Sequence, residues 1–579
     1  MATHTTIYDL PLAQLEGHIV DISQHATPCH HRLVDCVQFL EHSKLRIDEF
    51  HDFPHVEYSA ISYVWRGRPD PGAHRRKTFT VAGAEAADPI TIDVLRHACA
   101  ASTQHNVRYI WLDRLCIIQT KKQDKPWQIR EMFRIYQQCA RCIVLPDGLC
   151  RLVSLSDETD WIHRGWTLQE AIAPRNVVVL FTWRLGAGIL STGGEYGLQA
   201  TGHVTLVIPG SSAITDLSVV IDACAVGYFV FAMRTPEGLP STFSQTRKLK
   251  SAILGICTPN VAAFATAMSN SFSEEARCHA IWRSALMRTS SRPVDMVFSI
   301  MGLFGISLDP RAFDESDRRG ATVALARAIL ENGKSASWLG IAFRLPPAPQ
   351  LSIFPVFPQT SVAGKALVRI GDDLLDVADW VDIEYPSPGP PSLKSQLPEG
   401  NMDDAGYLQF RGRCAYAAQI SEDQAQQCSA QYISEDHDHT NPRVYPVTDA
   451  NGTKWEISVH QTGSTGPLAF VVFLGWFDEY HPGVTRVPDK NIKLIIVKEH
   501  ALERYHLHSF VSISSTLQDW VAAWPERDFC VGGPTSSNHN AIRTVKRSPE
   551  RTSEVERIVE SGRSHRRTYI ETMWDNDLA

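Results

Sequence analysis

The chain has 579 residues, 44% of them hydrophobic, and its 56 basic and 64 acidic side chains give a net charge of −8. That length divides into about two to four domains instead of one core, and the acidic balance supplies no general attraction for nucleic acid or an anionic membrane. Thirteen cysteines are spread along the chain without a dense framework, and the first residues lack a charged segment followed by an apolar one, so the expectation is a reduced, cytoplasmic protein.

Residues 1–43 read as an N-terminal lead-in with a short helix or strand at 32–40. Its Cys29, His30, His31 and Cys36 are spaced more loosely than paired zinc ligands, and no metal is expected there. From 44 to 182, short apolar runs alternate with longer amphipathic stretches. This is the pattern of an α/β domain with a mainly parallel sheet flanked by helices. Strands are expected at 60–65, 109–112, 142–145 and 177–181, and helices at 93–105 and 159–171. A further helix starts near Pro126, where Ile129, Met132, Phe133 and Tyr136 share one face. The loops at 65–67, 113–116 and 146–148 then lie at the carboxyl ends of strands, where such sheets hold ligands.

Residues 183–365 are read as a mainly helical accessory region, with helices at 276–289, 293–304 and 321–332. The apolar run 219–233 contains Asp222 and falls short of the ~20 residues that cross a bilayer; a buried helix or strand pair is expected, and no membrane span. Residues 366–530 change to strands at 407–410, 454–460, 469–476, 492–497 and 506–514, separated by Gly, Pro, Asp and Asn clusters, which makes a β-rich domain. The proline-rich stretch 385–392 and the acidic span 421–438 are read as loops, and the polar tail 531–579 as disordered. There is no internal repeat and no phosphate-cradling glycine loop.

Four blocks stand out in order: Tyr58-Ser-Ala-Ile-Ser-Tyr63-Val-Trp65-Arg-Gly67, Tyr109-Ile-Trp111-Leu-Asp113-Arg-Leu-Cys116-Ile-Ile-Gln119, Gln128-Ile-Arg-Glu-Met132-Phe-Arg-Ile-Tyr136, and Trp161-Ile-His-Arg164-Gly-Trp166-Thr-Leu-Gln-Glu170. Together they resemble the fungal heterokaryon incompatibility (HET) domain, whose blocks read approximately Y-x-x-L-S-Y-x-W-G, W-I-D-A-L-C-I-N-Q, Q-x-x-x-M-x-x-I-Y and W-x-x-R-x-W-T-L-Q-E. The chain departs from that pattern where Arg66 displaces the glycine after Trp65, and where Arg114 and Ile118 replace the usual alanine and asparagine. A further segment, 292–304, resembles one that often follows the HET domain, and packing explains it.

The resemblance implies a part in fungal non-self recognition and programmed cell death, a form of innate immunity. HET domains have been likened to Toll/interleukin-1 receptor (TIR) domains, of which those that cleave NAD carry a glutamate in a W-x-x-x-E pattern on a helix. Trp166 and Glu170 have that form, and a spacing of four places both on one helix face. On this reading the protein is an NAD glycohydrolase with NAD as substrate and no required cofactor. Glu170 is its catalytic carboxylate and stabilises an oxocarbenium-like ribose. Trp65 and Trp166 stack on the nicotinamide or adenine ring, Arg66 and Arg164 meet the pyrophosphate, and Asp113 anchors a ribose or caps the turn that follows. Packing of the tryptophans and ion pairing of Arg164 and Glu170 are the competing structural readings. The alternative function is a non-catalytic module that self-associates and signals, or a diverged inactive relative. Cys116 with His163 as a thiol–base pair, and Cys139 with Cys142 as half a zinc knuckle, are disfavoured against buried structural cysteines.

Overall fold

The computed structural model describes residues 4–69, 72, 76–192, 200–233, 246–427, 442–461, 467–481, 484–486 and 490–534. The tail read from the sequence at 531–579 lies outside the described residues from position 535, as does 428–438 of the acidic span.

The first elements are β1 (His4–Pro11), β2 (His31–Asp35), α1 (Cys36–Glu41) and β3 (Lys44–Phe50). They are followed by β4 (Tyr58–Tyr63), α2 (Ile92–Thr103), β5 (Tyr109–Trp111), α3 (Asp124–Gln138), β6 (Arg141–Leu145), α4 (Trp166–Ile172) and β7 (Val177–Thr182). Next come β8 (Gly188–Ser191), β9 (Thr201–Ile208), β10 (Ser212–Asp216), α5 (Leu217–Val226), β11 (Tyr228–Met233) and β12 (Thr246–Lys250). Among the described residues these strands form one sheet in the order β1-β3-β2-β5-β4-β6-β7-β10-β9-β8-β11-β12.

Only β5, β4, β6 and β7 run parallel. Ala60 lies in register between Trp111 and Cys142, and Val178 beside Ile143. All six residues of β4 are buried, as a strand covered on both faces requires. Outside this centre the pairing turns antiparallel, Val34 with Ile110 on one side and Val178 with Asp216 on the other. The sheet is therefore mixed where a mainly parallel one was expected, and strands fill much of 188–250, the start of the region expected to be mainly helical. Short connections decide both points. A link such as the one from β9 to β10, turning at Gly210 with φ +73°, joins antiparallel neighbours only, because a parallel crossover needs a dozen or more residues. The apolar run 219–233 is one helix and one strand: α5 closes on Gly227 at φ 87° and β11 starts at the next residue.

The accessory helices are α6 (Pro259–Met268), α7 (Glu274–Leu286), α8 (Asp295–Met301) and α9 (Arg318–Glu331). Three have side-chain caps. Thr258 Oγ1 accepts from Val261 N at 3.3 Å, Ser273 Oγ from Ala276 N at 3.1 Å and Asp317 Oδ1 from Gly320 N at 2.8 Å, each satisfying an N–H that the helix leaves open.

The C-terminal region is β-rich, as expected. Strands β13 (Tyr407–Gln419), β14 (Lys454–Ser458), β15 (Ala469–His481), β16 (Ile492–Ala501) and β17 (Arg504–Ile513) contain or overlap all five expected strands, and β18 (Glu526–Gly532) and Val444–Thr448 were not expected; Glu384–Ser387, overlapping the stretch read as a loop, is also a strand, because it finds a partner edge in β15. Five of them close on themselves, β15-β16-β17-β18-β13 and back to β15, which leaves none of these five as an open edge. Val471, Leu494 and Ile496 pack there with Trp455, Trp520 and Trp524.

An ion network ties the first strands to α3. Arg32 on β2, fully buried, donates to Glu49 Oε2 at 3.0 Å, Asp124 Oδ2 at 3.1 Å and the Cys116 carbonyl at 2.8 Å. Asp124 also accepts from the backbone N of Cys29 at 2.7 Å and of Ile118 at 2.8 Å. Removing the cation strands two buried carboxylates. Arg32→Met is expected to cost about 3–5 kcal/mol, measured by urea unfolding; a loss below about 1 kcal/mol would show the network to be dispensable.

Candidate functional site at the carboxyl ends of the parallel strands

Asp113 gathers the loops at the ends of β4 and β5. Its carboxylate accepts from the Tyr63 hydroxyl, from Trp65 Nε1 at 2.7 Å and from the backbone N of Arg114 at 2.6 Å. Arg114 Nε donates to Tyr63 Oη at 3.0 Å, and its Nη1 donates to the Asp88 carbonyl. Arg114, a departure from the family pattern, is thus built into the same network. Trp65 and Asp113 are half-buried at the rim. Arg66 is exposed and its Nε donates to the Ala86 carbonyl at 2.6 Å, which turns it away from this group.

Gly67 bears on the departure at Arg66, where the glycine stands one residue later. A Cβ at residue 67 would lie 2.2 Å from the Asp147 carbonyl oxygen, and one at Gly148 (φ +84°) would lie 2.7 Å from the Val64 carbonyl oxygen. The turns after β4 and β6 approach each other so closely that glycine is needed on both sides. Asp147 Oδ1 also accepts from the backbone N of Arg68 at 2.9 Å.

The helix expected at 159–171 is broken. Residues 161–163 form a 3-10 turn, Arg164 is extended at φ −91° and ψ 136°, and α4 starts only at Trp166. Strand-like contacts with Thr289 cause the break: Gly165 N donates to the Thr289 carbonyl at 2.9 Å and Thr289 N to the His163 carbonyl at 2.7 Å. Arg164 Nη1 donates to the Ser361 carbonyl at 2.8 Å, and burial pushes its guanidinium down to about 10. Arg288 supports the same turn, with Nη1 donating to the Arg164 carbonyl at 3.0 Å and to Thr167 Oγ1 at 2.8 Å.

Glu170 points inward, with 9% of its surface exposed. It accepts from Ser62 Oγ of β4 at 2.5 Å, and Ser62 Oγ accepts from Trp161 Nε1 at 2.9 Å. Burial pushes its carboxyl up to about 8, and the charge of Asp113 adds to that, against the hydrogen bonds of Ser62 and Tyr136 and the charge of Arg288. At pH 7 it is mainly the neutral acid.

Trp166, half-buried, hydrogen-bonds Asp295 of α8. Burial pushes Asp295 up, while Arg292, Lys125, Trp166 and Ser290 act the other way. Burial also pushes the Lys125 ammonium down, opposed by the charges of Asp295 and Asp113. Lys125 therefore feels the charges of both Asp295 and Asp113. Lys125, Arg288 and Asp295 were not singled out from the sequence as site residues. The visible signal was Asp295, a carboxylate opening the otherwise apolar α8 segment.

Cys116 and His163 do not form a reactive pair. Burial pushes the Cys116 thiol up to about 12 and the His163 imidazole down to about 4, so the thiol stays protonated at neutral pH. Cys139 and Cys142 are buried with raised thiols. Among the described residues no group of three or more His, Cys, Asp or Glu could hold a metal, and no helix is long and apolar enough to cross a membrane.

The family model of heterokaryon incompatibility protein (HET) matches residues 58–148, the span from β4 to the close turn at Gly148. Over 130 residues the chain is 25% identical to vegetative incompatibility protein HET-E-1 of Podospora anserina, a stretch covering 21% of this chain and 9% of that relative. The chain therefore contains a HET domain. No solved structure matches it significantly. The block ending in Glu170 lies beyond the matched residues, yet the Ser62–Glu170 bond places it against β4.

Two outcomes follow. Because the folded state holds the Glu170 proton up to about pH 8, against about 4.3 for a free glutamate, it binds more protons than the unfolded state between those values. Stability contributed here falls as pH rises through that window. Glu170→Gln is expected to flatten this part of the melting temperature–pH profile; an unchanged slope would contradict a neutral Glu170. Arg66→Gly is expected to melt like wild type, whereas Gly67→Ala lowers the midpoint by several degrees, read by the same thermal scan.

Proposed function

We propose that the chain acts in fungal non-self recognition, as a HET-type signalling module whose engagement leads to programmed cell death. The observation that carries this reading is how the site spends its polar groups. Asp113, Glu170, Arg164 and Trp166 are all bonded to other parts of the chain, so the motifs hold loops and helices in a fixed arrangement. Self-association of copies through such a rigid module is part of the proposal. The name of the Podospora relative, a vegetative incompatibility protein, supports the same role.

A second reading is NAD cleavage by a TIR-like site, with Glu170 catalytic and Trp65, Arg66, Asp113, Arg164 and Trp166 binding the dinucleotide. What favours it is the half-buried pair Trp65 and Asp113 at the carboxyl ends of parallel strands, where open α/β sheets take nucleotides. A neutral Glu170 stabilises no positive charge, so turnover on this reading rises as pH increases through about 8.

Nicotinamide release from NAD by the full chain, at pH 7 and at pH 9, separates the two. The signalling reading expects no release, and cell death on expression that survives Glu170→Gln as long as the variant folds. Release that increases with pH and disappears in Glu170→Gln and Asp113→Asn would replace that reading with a glycohydrolase.

A further inference from the structure

The sheet that carries the HET module ends at β12, which pairs with β11 on one side and meets no strand on the other among the described residues. Such an edge leaves a row of backbone N–H and C=O groups open to an added strand. The five residues of β12 include three cations, Arg247, Lys248 and Lys250, in a chain whose net charge is −8. Among the described residues no carboxylate lies within ion-pair distance of any of the three. Nor does an acidic side chain occur in β8, β9, β11 or β12. The register sorts these side chains by face. Lys248 lies opposite Val230 and Lys250 opposite Tyr228, whereas Leu249 lies opposite Phe229 and Arg247 opposite Phe231. Phe229 and Phe231 are buried, while Tyr228 and Val230 are not, and Ile189 of β8, on the same side as those two, is 43% exposed. Lys248 and Lys250 therefore stand on the open face, with the Lys248 ammonium 4.1 Å over the Tyr228 ring centre.

Lysines on an edge repel a second copy of the same strand, because like charges directly opposite are unfavourable. The same lysines favour a strand that sets carboxylates beside them. We propose that β12 is a docking edge for an extended acidic segment of a partner protein, which adds to the sheet as a further strand. Its carboxylates lie beside Lys248 and Lys250 and its apolar side chains beside Leu249. The period of two along a strand puts those acids at alternate positions. Docking here lengthens the same hydrogen-bonded sheet that contains β4 and β5. This partner is distinct from the self-association proposed above, which the like charges of β12 disfavour at this edge.

The probe is a fluorescein-labelled hexapeptide of alternating glutamate and valine, titrated with the full chain and followed by fluorescence anisotropy. It is expected to bind, and the same peptide with lysine in place of glutamate to bind about tenfold or more weakly. Methylating the backbone nitrogens of the glutamate peptide removes its N–H donors and keeps its charges, and is expected to lower affinity about tenfold or more. Lys248→Glu combined with Lys250→Glu is expected to reverse the preference, so that the lysine peptide binds better than the glutamate one. The methylated peptide is tested on the wild-type chain, which keeps the experiment decisive if the double variant fails to fold. No binding at millimolar peptide, equal affinity for the lysine peptide, affinity indifferent to methylation, or an unreversed preference in the folded variant would overturn the proposal.

Discussion

The structure of the HET module depends on β4 being buried on both faces. A strand in that position cannot hydrate its polar side chains, so each must find a partner inside the protein. Tyr58 donates to the Ile135 carbonyl of α3 at 2.7 Å, Ser59 bonds Ser102 of α2 at 2.8 Å, Ser62 bonds Glu170 of α4, and Tyr63 bonds Asp113 at the end of β5. Six consecutive residues therefore fix three helices and a neighbouring strand. The motif-rich character of this stretch is a consequence of that constraint.

The accessory region is built onto the same helix from the opposite side. Thr289 splits the approach to α4, Arg288 holds the Arg164 carbonyl and Thr167, and Asp295 takes Trp166. Helix α4 is thus held between β4 and α8.

The same burial decides the chemistry of the charged groups. Arg288 and Glu170 attract one another, yet desolvation dominates both: the guanidinium is pushed down to about 9 and the carboxyl up to about 8. A carboxyl that holds its proton can donate a hydrogen bond or act as an acid, but it does not present a negative charge until it ionises. Arg32, by contrast, meets two carboxylates and a carbonyl at hydrogen-bonding distance, so its network links β2, β3 and α3 with its charge paired.

Much was legible in the sequence because the signals are local. The four HET blocks, the strands of the parallel centre, the helices near 93–105, 276–289 and 321–332, and the β-rich C-terminal region follow from periodicity, capping residues and turn clusters within short windows. The antiparallel wings, the strands within 188–250 and the closure of the C-terminal strands were not legible, because strand pairing is a long-range choice that alternation alone does not specify. The W-x-x-x-E spacing placed Trp166 and Glu170 on one helix correctly. It carried no information that Arg164 would leave that helix for Thr289, that Glu170 would face Ser62 and keep its proton, or that Trp166 would bond Asp295 from 129 positions further along the chain. Sequence determined which residue types recur at which spacing; only the tertiary structure decided which of them are desolvated and by whom, because burial and partnership are properties of what packs around a side chain.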